Sequence, residues 1–171
     1  MSSRSEKERF IDIIKANKRI IFKVIYSYCK DPEERKDLGQ EIVIQLWKSL
    51  KNYNDQYKIS TWIYKIALNV AISSYRKDLH RKKNTTLLDE DIFQIADDDD
   101  LANEDLDGKT ELLYRFINDL DEFNRAVIIL YLEENSYREI AEILGITETN
   151  VGSKINRIKN KLRDYFSLVK N

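Results

Sequence analysis

The chain has 171 residues, with 29 Lys and Arg against 30 Asp and Glu, and a formal net charge of -1. Hydrophobic residues make up 42%, which excludes global disorder, and no apolar run nears the ~20 residues that span a bilayer, which excludes an inserted protein. A single cysteine, Cys29, excludes an internal disulfide and a zinc site built on several cysteines, and the charged start of the chain is not a signal peptide, so the expected location is the cytoplasm.

Four Gly and one Pro leave too little turn punctuation for an all-β fold. Apolar residues instead recur at helical spacing, and the expectation is an all-α chain. Phe10, Ile13, Ile14, Asn17, Ile20, Ile21, Val24 and Ile25 trace one stripe. Asp31-Pro32 interrupts it, with the proline suited to a helix's first turn. Leu38, Ile42, Leu46, Trp47 and Leu50 trace a second stripe, residues 52–57 read as a loop, and Ile59, Trp62, Ile63, Ile66, Val70 and Ile72 trace a third. Ser60 or Thr61 is the expected cap of that third helix. Residues 6–83 are thus expected to form a small helical domain.

Between residues 57 and 77 aromatics and cations interleave. Stacking platforms beside a positive track are what single-stranded nucleic acid requires, although Trp62 at helical spacing fits a core equally well. Residues 84–109 lose the periodicity and hold one basic residue against ten acidic, including Asp97, Asp98, Asp99 and Asp100. Like charges at that density repel, so this stretch is expected to be a flexible acidic linker. A calcium loop is rejected because the turn glycine and terminal glutamate of that motif are missing from their positions.

Charge is blocked along the chain. Residues 1–83 hold 19 basic and 10 acidic residues, and residues 149–171 hold six basic residues against Asp164 alone. Two basic surfaces on an acidic tether fit a polyanion gripped at two places.

Periodicity returns with Leu112, Leu113, Phe116, Ile117 and Leu120, then Val127, Ile128, Leu130 and Tyr131. Ser136 with Glu139 has capping-box spacing. Ile140, Ile143 and Leu144 form the apolar face of the helix it opens, Ala141 is small where a second helix crosses, and Gly145 ends it. Thr147 is the expected cap of a last helix with Val151, Ile155, Ile158 and Leu162 inward. Two helices on a short glycine turn place the second in a major groove. Its outer face offers Thr149, Asn150, Ser153, Lys154, Asn156, Arg157 and Lys161, side chains that pair with base edges and phosphates.

These motifs together resemble the extracytoplasmic-function (ECF) class of the sigma-70 family, the minimal two-domain sigma subunits of bacterial RNA polymerase. Asp37-Leu38-Gly39-Gln40-Glu41-Ile42-Val43-Ile44-Gln45-Leu46-Trp47 is similar to the family's polymerase-binding helix. Ser60-Thr61-Trp62-Ile63 and Ile66-Ala67-Leu68-Asn69-Val70-Ala71 are similar to its −10 segment, and residues 136–162 to its −35-binding domain, with Tyr137-Arg138-Glu139-Ile140-Ala141 and Val151-Gly152-Ser153-Lys154 the nearest stretches. The resemblance implies two helical domains, at 6–83 and 110–171, the second a helix-turn-helix, joined by the linker at 84–109. It implies contact with core polymerase through Asp37, Leu38, Gln40, Glu41, Ile44 and Trp47. It implies a −10 site drawing on the loop from Tyr53 to Ser60, hence Tyr53, Asn54 and Lys58, with Ser60, Thr61, Trp62, Lys65, Asn69, Arg76 and Lys77 along the helix. For the −35 element it implies Ser153, Lys154 and Arg157, with Tyr137 and Glu139 from the preceding helix. The acidic linker matches the segment that threads the polymerase's RNA path, where its charge would mimic nucleic acid. The implied partners are core RNA polymerase, promoter DNA and an anti-sigma factor, with no cofactor and no metal.

The chain departs from the family's pattern in three places. Gly152 stands where a cation is usual, which is expected to cost ~1 kcal/mol of helix stability against Ala and a phosphate contact. Asn156 stands where an aromatic or His is common. Asp121 replaces the proline usual after Leu120 and is expected to be neutral. The chain stops soon after the last helical pattern, which leaves no fused sensory domain to expect. The rival reading is a polymerase-independent helix-turn-helix regulator, which binds as a dimer, yet no dimerisation heptad is visible. An enzyme is disfavoured because His80 is the single histidine and no carboxylate–histidine cluster or glycine-rich phosphate loop occurs.

Overall fold

A computed structural model describes residues 2–54, 56–76 and 107–170, and every regular element among them is helical. Contacts divide the chain into two compact units, Met1–Glu104 and Asp105–Asn171.

In the first unit, the stripe expected on one helix spans two. α1 (Ser2–Ala16) ends at Asn17, whose backbone leaves helical geometry at φ −120° and ψ 23°, and α2 (Lys18–Tyr28) follows. The asparagine causes the break. Its Nδ2 donates to the Ile13 carbonyl at 2.8 Å, and its own N–H reaches the carbonyls of Ile13 and Ile14 at 3.1 and 3.2 Å. An amide that competes for the last carbonyls of a helix favours its end. The apolar face survives the break, since Phe10, Ile14, Ile21, Val24 and Ile25 are all fully buried.

α3 (Pro32–Ser49) opens as expected, with Asp31 accepting from the Glu33 N–H at 3.3 Å and Pro32 in the first turn. Arg35 ties the corner to α2. Its Nε donates to the Cys29 carbonyl at 3.0 Å, and its guanidinium lies 3.8 Å from the Tyr26 ring centroid. Gly39 permits the close crossing, because a Cβ there would stand 3.1 Å from Ile25 Cδ1. After a 3-10 turn (Leu50–Asn52) and a loop, α4 (Ile59–Arg76) packs against both α2 and α3.

Two expectations for α4 are corrected. Ser60 and Thr61 lie inside its first turn, so neither precedes the helix as a cap. Its buried face is Ile63, Tyr64, Ala67, Leu68, Ala71 and Ser74, while Ile59, Trp62, Ile66, Val70 and Ile72 are half-buried. The reason is packing. α4 meets two helices at once, and Ala67, Ala71 and Ser74 let the backbones approach. Fit at the crossing, rather than side-chain hydrophobicity alone, selects the inner face.

The second unit holds α5 (Gly108–Asp119), α6 (Glu122–Leu132), α7 (Tyr137–Leu144) and α8 (Glu148–Lys170). Asp107, near the end of the stretch expected as linker, caps α5 by accepting from the Thr110 N–H at 2.7 Å. That backbone bond, with a second from the Thr110 side chain, holds its carboxyl below the usual range. The rest of that stretch, residues 84–106, lies outside the described residues, as do Lys77 and His80. Asp121 is not neutral. It caps α6, accepting from Asn124 N–H at 2.8 Å and Asn124 Nδ2 at 2.7 Å. α8 then packs on α6 and α7 around Val127, Ile128, Leu130, Ile140, Val151, Ile155 and Ile158, all buried.

Arg125 is the buried cation of this unit, only 4% exposed. Its Nε donates to the Leu120 carbonyl at 2.7 Å and its Nη2 to the Asn118 carbonyl at 2.6 Å. It thus satisfies the carbonyls at the C-terminal end of α5, where the helix dipole favours positive charge. Arg125→Met keeps the stem but strands those carbonyls, and the predicted cost is about 3 kcal/mol, given ~1.5–3 kcal/mol for each hydrogen bond to a charged group. Urea unfolding of the full chain reads it; a loss below ~1 kcal/mol would show that water serves the carbonyls equally well.

Candidate nucleic-acid interface

The helix-turn-helix is built from local bonds. Ser136 Oγ accepts from the Glu139 N–H at 3.0 Å, and Glu139 Oε1 accepts from the Ser136 N–H at 3.4 Å, closing the capping box of α7. Gly145 takes φ 69° and ψ 35°, left-handed geometry that glycine adopts without strain. The Gly145 and Ile146 N–H groups both return to the Ala141 carbonyl, at 2.8 and 3.1 Å. Thr147 Oγ1 accepts from the Asn150 N–H at 3.1 Å and starts α8. With Val151, Ile155 and Ile158 inward, the outward face is determined.

On that face Thr149, Asn150, Ser153, Asn156, Arg157 and Lys161 are exposed. Lys154 is half-buried, its Nζ 5.1 Å from the Phe123 ring centroid. Lys159 sits likewise against Tyr131, at 4.7 Å, and a hydrogen bond with Tyr131 raises its pKa. In each case the ammonium lies over an aromatic ring, a cation–π contact. Arg157 Nε reaches back to the Ser153 carbonyl at 3.4 Å. Glu139 is committed to the capping box, and Tyr137 is 40% exposed. Phe123 and Tyr131 were not foreseen as seats for the two lysines, because no sequence spacing links α6 to α8.

The first unit carries a different surface. The Tyr53 and Trp62 rings stack at 5.0 Å and 43°, and the Tyr53 hydroxyl donates to the Tyr57 carbonyl at 2.9 Å. The loop is therefore folded back upon α4, with Tyr57 43% exposed beside the exposed Asn54 and Lys58. Ser60, Thr61 and Trp62 are half-buried, while Lys65, Asn69 and Arg76 are exposed along the face of α4 that points away from its core. Trp62 is thus neither core nor free platform, being half-covered by Tyr53.

α3 offers a third surface. Asp37 is exposed and Gln40, Glu41, Ile44 and Trp47 are half-buried, at helical spacing on one side. Phe10 meets Trp47 edge-on at 5.1 Å and 63° and fixes its ring. Leu38 is corrected: at 1% exposure it packs in the core and supports this surface from beneath.

Two helical units, the second with a helix-turn-helix and the first with an aromatic–cationic face, define a nucleic-acid-binding class of protein. The comparisons with known proteins narrow it. Residues 13–81 match Sigma-70 region 2, and residues 110–162 match Sigma-70, region 4. ECF RNA polymerase sigma factor SigW of Bacillus subtilis is 27% identical over 172 residues, covering 94% of this chain and 90% of the relative. RNA polymerase sigma factor YlaC of Bacillus subtilis is 30% identical over 132 residues, covering 77% and 76%. The solved structure of the sigma factor RpoE with the anti-sigma factor NepR, from Bartonella quintana, shares the fold at a TM-score of 0.63 and 17% identity, covering 94% and 96%. The chain belongs to the sigma-70 family, in its ECF class, and is an RNA polymerase sigma factor. Among the described residues, no helix is long and apolar enough to cross a membrane.

The bond from Tyr53 to Tyr57 generates a prediction. Tyr53→Phe keeps the ring against Trp62 and loses only the hydroxyl. One exposed hydrogen bond is worth ~1 kcal/mol, so opening of the loop should become roughly fivefold easier. Hydrogen–deuterium exchange over residues 50–62 should rise accordingly, with residues 110–160 unchanged; equal exchange in both proteins would assign the loop's closure to the ring stack alone.

Proposed function

We propose that the chain directs core RNA polymerase to its promoters by reading duplex −35 DNA with α8 and by holding the unpaired −10 strand on the loop and face of α4. The observation that carries this reading is the helix-turn-helix itself, whose caps and left-handed Gly145 leave Ser153, Arg157 and Lys161 outward on one exposed helix. Tyr137, Thr149, Asn150, Lys154 and Asn156 complete that set, with Glu139 acting through the capping box. The −10 set is Tyr53, Asn54, Lys58, Ser60, Thr61, Trp62, Lys65, Asn69 and Arg76, with Lys77 from the sequence. The two surfaces suit different substrates: a polar helix for base edges and phosphates, and aromatics beside cations for unstacked bases.

Magnitudes explain why both are needed. Stacking one base on an aromatic side chain is worth ~1–3 kcal/mol, and each melted base-pair step costs ~1.4 kcal/mol. Capture of one or two bases therefore offsets a comparable number of steps, and the rest of the melting must be supported by polymerase. Polymerase also holds both DNA-binding units together, which multiplies weak affinities through effective concentration. The docking surface on it is Asp37, Gln40, Glu41, Ile44 and Trp47 of α3. The first domain is that expected at 6–83; the second, expected at 110–171, takes in the Asp107 cap and first turn of α5, which shortens the tether expected at 84–109, and the protein works in the cytoplasm without catalysis, cofactor or metal. The RpoE structure with NepR supports control of this chain, too, by an anti-sigma factor. A polymerase-independent regulator is not favoured, since region 2 has no part in such a protein.

Binding to core polymerase followed by run-off transcription on genomic DNA tests the reading. Stoichiometric binding with discrete new start sites is expected; duplex binding without polymerase dependence would reverse it. The double variant Asp37→Ala with Glu41→Ala should lower affinity for core polymerase at least tenfold, a factor worth ~1.4 kcal/mol, while duplex −35 binding stays unchanged. Arg157→Ala should weaken promoter binding by ~1–3 kcal/mol and relax the preference at one −35 position. Retained preference would remove Arg157 from base readout.

A further inference from the structure

A groove of about 460 Å³ runs beside α1 in the first unit and reaches the start of α4. Its apolar lining is Ile13, Ala16 and Ile59, and its polar lining includes Glu8, Arg9 and Asp12, all three exposed. Residues 9, 12, 13 and 16 stand three or four apart, which places them on one side of the helix. Ile59 is the first residue of α4 and joins Lys58 to Ser60, so the groove borders the surface proposed for the −10 strand. The volume falls within the ~300–1,000 Å³ of small-ligand sites. Neither the packing of the core nor the proposed function accounts for Arg9 and Asp12 at its rim.

Charge selects the occupant. Two carboxylates against one guanidinium repel a phosphate, so the groove suits a neutral group that both donates and accepts. An unpaired base is such a group: it lies against apolar side chains and offers its Watson–Crick edge. Among the four bases guanine alone carries two adjacent N–H donors on that edge, at N1 and N2, which match the two oxygens of a carboxylate. Its O6 and N7 match the fork of an arginine. We propose that this groove is a second base-binding site and that it takes an unpaired guanine flanking the −10 bases, with Asp12 accepting from N1 and N2 and Arg9 donating to O6 and N7. The inference rests on the −10 reading above and deepens it by naming a base. In duplex DNA the guanine N1–H is occupied by pairing, so this site gains its ligand only from a separated strand.

The test uses the full chain on core polymerase, with fork-junction promoter DNA whose unpaired strand carries guanine, adenine, cytosine or thymine at each position flanking the −10 bases in turn. At one position the parent should bind guanine at least about fivefold more tightly than adenine, the lower end of what one bidentate contact discriminates. Arg9→Ala and Asp12→Ala should each bring that ratio close to one. Ala16→Leu should do the same, since it fills the groove without altering its charge. A ratio taken within one protein cancels any general attraction or repulsion of DNA by the changed charge. A parent ratio near one at every position, or a guanine preference that survives all three substitutions, would overturn the site. Trp62→Ala separates the two levels. If it weakens binding of every fork while no guanine is preferred, the groove alone falls; if neither it nor any unpaired base changes binding, the −10 reading falls with it.

Discussion

α4 packs against α2 and α3 with Ala67, Ala71 and Ser74 on its buried face, and where α3 crosses α2 Gly39 lies against Ile25. In the second unit Ala141 is likewise a small residue buried in α7. Small side chains at crossings bring backbones close enough for neighbouring large side chains to interlock. They also decide which face of a helix is left over. On α4 the inward turn of the small residues leaves Trp62, Lys65, Asn69 and Arg76 on the other side, and the surface proposed for nucleic acid follows from the packing of its opposite face.

Helices this short do not stand alone. α7 has eight residues and α6 eleven, and isolated helices below ~12–15 residues are marginal in water. Both begin with a side chain that satisfies an orphan N–H, Ser136 and Asp121, as do α3 with Asp31, α5 with Asp107 and α8 with Thr147. Arg125 performs the complementary task at the end of α5. Much of the acidic surplus of the second unit thus has a structural use, since carboxylates at helix starts also meet the positive end of the dipole.

The two surfaces proposed for nucleic acid differ in how their order is secured. On α8 the cations are seated on aromatics, Lys154 on Phe123 and Lys159 on Tyr131. Long side chains held this way lose less entropy on meeting DNA than free ones would. Near α4 the aromatics hold one another, Tyr53 on Trp62 with a hydroxyl bond to Tyr57, so the loop is folded before any base arrives. On the proposed reading, preorganisation of this kind would lower the cost of capturing an unpaired base.

How far each feature was legible depends on its range. The helical class, the capping box at Ser136 and Glu139, the turn at Gly145 and the cap at Thr147 are bonds between residues three to five apart, and residue type with spacing determines them. The break at Asn17 is equally local, but its signal, one amide in an unbroken apolar stripe, is outweighed by the periodicity around it. The buried face of α4, the burial of Leu38, the cap made by Asp121 in a position expected to be neutral, and the seat of Lys154 on Phe123 were decided otherwise. Asp121 was misread by comparison with the family's proline, although Asp before a helix is a cap signal in its own right. The others join residues brought together only when helices cross. The sequence by itself determined the helices, most of their ends and the outward chemistry of α8; the tertiary structure decided which face of α4 is inward and where each aromatic ring comes to rest, because closeness of approach between two backbones is a property of neither helix alone.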